Sequence, residues 1–377
     1  MASRVLASRW VAAILLVAAV FAASTPAKAQ IQMTSADGKI FKIGILAQPQ
    51  LEDIDVFTNA AGSNTEKSDN IFLRRIRLMG NFTLSKQLTV FFDTDSPNLG
   101  KGNPDGTKNN ADMFIQDLIV TYAFSKEFQL DGGMLLLGQT YNHLQSAASL
   151  MTVDYSPYTF LESTPTTSRT GRDYGAQARG YLAGDHLEYR AGVFQGLRGV
   201  NDTNTFRYAG RVAYYVWGPE TTYFYRGTSL GKTQTLSIGV GFDRQRGDLA
   251  GGGSSTYKNY GLDLFWDQPL GGGNGFTVQG DYNTMDGQVF IKTIPKQKDA
   301  MVEAGYYFAG LKLMPYVQWA RQDLDLSTLL DERRLQLGLD FWFNGHNSNL
   351  KFAYTKIDRD NSKRRSQLQV QYQVFQF

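Results

Sequence analysis

In the stretch around Arg207 and Arg211, Phe206, Tyr208, Val212, Tyr214 and Val216 share one phase of a two-residue alternation. The two arginines fall on the other phase. Arg190 stands beside Glu188 and opposite Tyr189, Ala191 and Val193. Arg179 shares a polar face with Asp173, Gly175 and Gln177, with Arg172 near the end of that stretch. Arg75 and Arg77 lie opposite Phe72, Ile76, Leu78 and Phe82, and Arg74 breaks the pattern in a way that predicts a snorkelling side chain or a kink. A guanidinium presents paired N–H donors that match an oxyanion. Arg75, Arg77, Arg179, Arg190, Arg207 and Arg211 therefore read as a ladder that lines a passage and guides anions along it. The plainer reading is ordinary wall polarity, because Asp173, Glu188, Asp263 and Asp340 share the polar phases.

Other reactive constellations fail. There is no cysteine, which removes disulfides, thiolate metal sites, a cysteine nucleophile and c-type haem attachment. His143, His186 and His346 are the three histidines, and no two are spaced as ligands on one element. A serine hydrolase needs a histidine with a nearby serine and acid, and His143 with Ser146 and Ser149 is the best grouping available. Gly231-Lys232-Thr233 resembles the end of a phosphate-binding loop, but the glycine that motif needs at 226 is Arg226. The sequence thus predicts no enzyme, no metal and no cofactor.

The elements that carry the arginines are strands. Leu335, Leu337, Leu339, Phe341 and Phe343 alternate with Gln336, Gly338 and Asp340, and Tyr260–Trp266 repeats the arrangement. Period two marks a strand with one apolar and one polar face. Sixteen such segments run near 39–51, 70–84, 87–97, 112–124, 128–141, 172–183, 186–196, 205–217, 233–244, 256–266, 275–284, 298–308, 311–323, 332–343, 348–358 and 364–377. Long polar connections alternate with short ones, eight against seven, although two of the short class, 218–232 and 267–274, are extended. An even number of strands of about ten residues, short turns at one rim and long loops at the other describe an all-β, 16-stranded antiparallel transmembrane β-barrel with short periplasmic turns and long extracellular loops. Lipid-facing and lumen-facing residues alternate in such a wall. A lipid-facing arginine at mid-bilayer costs about 2–4 kcal/mol, so the arginines belong inside.

Both ends of the chain agree. Arg4 and Arg9, the apolar run 11–23 and Ala27-Lys28-Ala29 form a secretory signal. The apolar run falls short of the ~20 residues that span a bilayer. Residues 1–29 are expected to be cleaved, leaving a single barrel domain over 30–377. They also hold a charge of +3 that cancels the formal net charge of +3, so the remaining chain is neutral and a global case for nucleic acid fails. At the other end Gln369–Phe377 alternates to the last residue. A closed barrel uses its last strand to pair with its first, which explains a chain that stops inside a strand. The apolar set Leu368, Val370, Tyr372 and Val374 changes phase at Phe375, which predicts a bulge there.

Ile71–Phe82, Val90–Asp95 and Gly171–Gly180 carry a resemblance to the phosphate-selective porin O/P family that extends diffusely from Lys39 onward. The Phe92–Gly102 segment also resembles porin-like members linked to selenite and tellurite reduction clusters. The resemblance implies a sixteen-stranded barrel in the outer membrane, often trimeric, that passes anions such as phosphate. It further implies outer-membrane lipids as surroundings and a C-terminal Phe377 read by the barrel assembly machinery. The third long loop, 142–171, is expected to fold inward and narrow the pore with Asp154, Tyr155, Tyr158 and Arg169. The competing function is a barrel that sheathes a multihaem cytochrome in an electron-transfer complex.

Overall fold

The computed structural model describes residues 31–377 apart from 111, 168, 250 and 327. The expected signal segment 1–29 lies outside the described residues. Sixteen strands form the wall: β1 (Ile40–Phe57), β2 (Thr65–Thr83), β3 (Leu88–Asp95), β4 (Phe114–Ala123), β5 (Gln129–Leu136), β6 (Arg172–Leu182), β7 (Leu187–Phe194) and β8 (Arg207–Trp217). They continue as β9 (Thr235–Asp248), β10 (Ser254–Pro269), β11 (Gly275–Asp286), β12 (Gln297–Tyr307), β13 (Leu313–Leu324), β14 (Glu332–Phe341), β15 (Ser348–Arg359) and β16 (Arg365–Gln376). Each strand pairs antiparallel with the next, and β16 pairs with β1 from Gln367↔Ile54 to Gln376↔Ile45. Closure leaves no free edge, which is what a lipid-embedded sheet requires. A short strand, Ile31–Thr34, adds to the base of β1.

Alternation sets the two faces. On β9, Ile238, Val240 and Phe242 are exposed outward while Ser237, Asp243 and Gln245 are buried inward. Aromatic residues gather on the outer surface near both rims, with Trp266, Phe276, Tyr306 and Phe352 toward the termini and Phe242, Tyr260, Tyr282, Trp319 and Tyr354 toward the long loops. Such girdles mark the two bilayer interfaces.

Four details differ from the sequence expectation. The fifth strand ends at Leu136 rather than near 141, because Leu137 onward turns into the lumen. The connection expected over 267–274 is a tight turn, since β10 runs on to Pro269. No bulge interrupts β16, whose register with β1 is continuous from Gln371↔Gln50 to Val374↔Ala47. Phe375 and Phe377 therefore keep the inward phase, where they pack with Leu46, Met79, Ala147 and Ala148. A lumen filled by chain offers apolar partners that an open water-filled one would not. Finally, Phe72 faces inward and is buried, a consequence of the bulge described next.

Candidate functional site

The polar lumen is the place where this chain can act on solutes, and β2 shows how its charges are placed. The β1–β2 register shifts between Gln48 and Pro49, so that Gln48 faces Arg75 and Pro49 faces Leu73. Arg74 is the extra residue. A bulge sends neighbouring side chains to the same side, and Arg74 Nε and Arg75 Nη2 both reach one carboxylate, Asp154, at 2.6 and 2.5 Å. Arg74 thus marks a kink, one of the two expected outcomes.

All six expected arginines point inward, and all six are buried and paired with acids. Arg77 meets Asp93 at 3.2 Å and Asp95 at 2.9 Å. Arg179 donates to Asp131 at 2.7 Å, and Arg190 to Glu188 at 2.7 Å. Arg207 binds Asp243 and approaches Asp173 at 3.4 Å, and Arg211 binds Asp263. Arg172 adds a two-pronged contact to Asp117 at 3.1 Å. Buried guanidiniums with acid partners hold the structure and have no free fork for a passing anion. The ladder is one of ion pairs, and Arg75 also lines the cavity described below.

The acids and arginines are buried because chain covers them. After β5 the segment 137–171 enters the barrel, forms the one-turn helix α1 (Tyr141–Leu144) and crosses the lumen. Gln139 O passes so close to β9 that a Cβ at Gly241 would sit 2.1 Å from it, so glycine is required there. Tyr141 stacks on Phe265 at 4.0 Å, and Gln145 Nε2 donates to Gln279 at 2.8 Å. Lys351 Nζ on β15 donates to Leu150 O and Thr152 O at 2.6 and 2.9 Å. The segment then returns to Arg74 and Arg75 through Asp154. Burial would raise the Asp154 carboxyl, but the two guanidiniums outweigh it and hold it well below its ordinary range.

A second segment enters from the opposite end. Residues 218–234 join β8 to β9 on the rim that carries the termini, and 222–230 rise into the lumen. Arg190 donates to Tyr223 O at 2.9 Å, Leu136 N to Tyr223 Oη at 3.1 Å, and Tyr225 Oη to Glu188. His346 Nε2 donates to Thr228 O at 2.9 Å. Burial first, then the nearby Lys351 charge, pushes the His346 imidazole down to about 4.

Above these two segments, on the long-loop side, a cavity of ≈ 370 Å³ remains. Its lining includes four cations, Arg74, Arg75, Lys101 and Arg334, against two carboxylates, Glu52 and Asp154. Glutamines 50, 318, 336, 367 and 369 supply much of the rest. Of the expected constriction residues, Asp154 and Tyr155 line this vestibule. Tyr158 instead donates to Glu332 O at 3.3 Å, and Arg169 lies over the Phe114 ring at 4.5 Å. His143 faces Glu162 at 3.7 Å and Thr140 at 3.2 Å. Sequence reasoning missed Lys101, Arg334 and Lys351. Lys351 shares the polar phase of Asn349 and Thr355, a signal that was present.

Comparison with known proteins agrees with this architecture. No curated protein sequence matches the chain. Among solved structures, the anion-selective porin from Comamonas acidovorans superposes with a TM-score of 0.60 at 14% identity, covering 89% of this chain and 99% of that one. Pseudomonas putida OprB gives 0.62 at 9% identity, covering 89% and 94%. In-vitro folded OmpT of Vibrio cholerae gives 0.52 at 11%, covering 89% and 99%. At such identities the likeness shows the fold. The sequence model described as phosphate-selective porin O and P matches residues 46–229. With the closed barrel it makes this a non-enzymatic, outer-membrane channel protein.

Proposed function

We propose that the chain is a passive diffusion channel that prefers small anions, phosphate and similar oxyanions among them. The observation that carries this reading is the vestibule, whose lining holds twice as many cations as carboxylates. A narrow, low-dielectric mouth of one sign concentrates ions of the other. Arg74, Lys101 and Arg334, with Arg75 behind them, steer the anion. Arg77, Arg179, Arg190, Arg207 and Arg211 act indirectly, by fixing the wall against which the inner segments lie. The match of residues 46–229 to the phosphate-selective porin O and P model and the selectivity named for the Comamonas acidovorans porin support the same reading.

The sheath for a cytochrome is disfavoured, because the chain's own segments 137–171 and 222–230 occupy the lumen that such a partner would fill. We further infer export with cleavage after Ala29, recognition of the terminal strand ending in Phe377 by the assembly machinery, and a homo-trimer. The last draws on the trimer form of OmpT.

Recording single channels of the refolded protein in a planar bilayer under a KCl gradient tests the function. A reversal potential of anion-selective sign, with current reduced by added phosphate or selenite, supports the proposal. A cation-selective or non-selective current sinks it, and so does the complete absence of current from folded barrels.

A further inference from the structure

The outer surface carries a second charged feature at the long-loop end of β13, β14 and β15. A cleft of ≈ 500 Å³ is lined by Trp319, Leu335, Arg333, Arg359 and Arg364, together with Asp358, Asp360 and their neighbours. Trp319 and Leu335 are register partners, belong to the outward phase and are exposed. They form the top of the apolar band. One step further up the strands Arg321 stands directly opposite Arg333. Like charges facing each other across a strand pair are destabilising unless an anion lies between them. Lys356, outward and exposed, is the register partner of Leu335.

The acids near the cleft neutralise only part of this charge. Arg333 is 3.4 Å from Asp360, Arg364 pairs with Asp358, and Arg321 pairs with Asp323. No ion pair engages Arg359 among the described residues. Outward cations also stand near the long-loop ends of β9, β10 and β12, where Arg244 faces Lys258 and Lys298 is exposed, but the rest of the wall differs. At the matching outward positions β3, β4, β6, β7 and β8 present Thr94, Ile115, Tyr174, Val193 and Tyr208, none of them charged. The β1–β2 rim presents Asp53, Asp55 and Asp69 with Lys67.

An apolar floor at the upper edge of the membrane band, roofed by arginines, matches an amphiphile with a phosphorylated head and acyl chains below it. We propose that this cleft binds the phosphorylated headgroup of an outer-leaflet glycolipid, with Arg333, Arg359 and Arg364 on its phosphates and Trp319 and Leu335 against its first acyl carbons. Arginine is the suited cation, since its fork takes two phosphate oxygens at once.

The test is native mass spectrometry of the full-length folded barrel, released from vesicles that contain either lipid A or enzymatically dephosphorylated lipid A. The wild type should retain lipid A. R333Q/R364Q, two exposed substitutions that leave the wall intact, should lower its retention roughly thirtyfold, and K126Q, whose exposed lysine pairs with Asp185 on the opposite, short-turn rim, should leave it unchanged. Equal retention of the dephosphorylated lipid would overturn the proposal. So would displacement of lipid A by millimolar inorganic phosphate, which would mark a free-anion site, and so would an equal loss in K126Q.

Discussion

Gln145 and Tyr225 are opposed partners in a parallel bridge inside the barrel, although their segments enter from opposite rims. Ser146 N donates to Tyr225 O at 2.9 Å, and Tyr225 N to Leu144 O at 2.8 Å. Gly227 continues the contact, since a Cβ there would sit 2.0 Å from Ser149 O. The two lumen segments therefore support each other, and the lower one blocks part of the passage beneath the vestibule.

Shortening the lower segment should open that passage. Replacing residues 220–229 by a tight glycine-containing turn removes Tyr223 and Tyr225 from the lumen while leaving β8 and β9 paired. Single-channel conductance should rise several-fold. An unchanged conductance would mean that the current flows around this segment.

Asp154 is the lock at the other end. Removing one partner of a buried ion pair leaves the other uncompensated, at about 3–5 kcal/mol for full burial. Arg75 is buried, whereas Asp154 and Arg74 are partly exposed, so Asp154→Asn should cost about 2–3 kcal/mol of loop docking. The folded carboxyl lies below its ordinary range. Its contribution is thus complete above about pH 4 and is lost only as pH falls further, through the folded value. Limited proteolysis at pH 7 should cut D154N within 142–171 and spare the wild type.

How far such a lock can be read from sequence is instructive. Period two placed Arg75, Arg77, Arg179, Arg190, Arg207 and Arg211 on the inner wall, because facing is a local property of a strand. Their pairing was not legible. Arg207 meets Asp243 from the neighbouring strand and Arg75 meets Asp154 from a loop, and both depend on register and on a loop's path. The bulge at Arg74 left a mark in the alternation that its neighbours shared. The unusual length of 218–232 was visible too, but length says nothing of whether a connection turns inward. Phe375 broke the expected phase because its partners, Ala147 and Ala148, arrive from a loop.

His346 makes the lower segment sensitive to acid. Its imidazole is held at about 4 in the folded protein, against about 6.5 when free. A depressed base favours the folded state fully above about pH 6.5, and loses that contribution as pH falls toward the folded value. The difference corresponds to about 3 kcal/mol at most. Protonation places a second buried cation near Lys351, a cost that the hydrogen bond to Thr228 O offsets only in part. Current fluctuations should grow as pH drops from 6.5 to 4, and His346→Gln should flatten that dependence. A wild type and H346Q with identical pH profiles would rule this hinge out.

The last prediction separates steering cations from structural ones. Lys101 and Arg334 border the vestibule with partly exposed side chains, whereas Arg207 and Arg211 are fully buried against Asp243 and Asp263. The Arg334–Glu332 pair is partly exposed and contributes at most about 1 kcal/mol, so R334Q should leave the melting temperature close to that of the wild type, whereas K101Q leaves the buried Glu52 carboxylate without its cation and should lower it moderately. Each removes one positive charge from the mouth, so each should move the reversal potential toward zero, and together they should move it further. R207Q and R211Q strand a buried carboxylate, at about 3–5 kcal/mol. They should lower folding yield or melting temperature, and the barrels that do fold should keep wild-type selectivity. If instead R207Q or R211Q erased selectivity in well-folded barrels while K101Q and R334Q did nothing, the anion path would run along the arginine ladder rather than through the vestibule mouth.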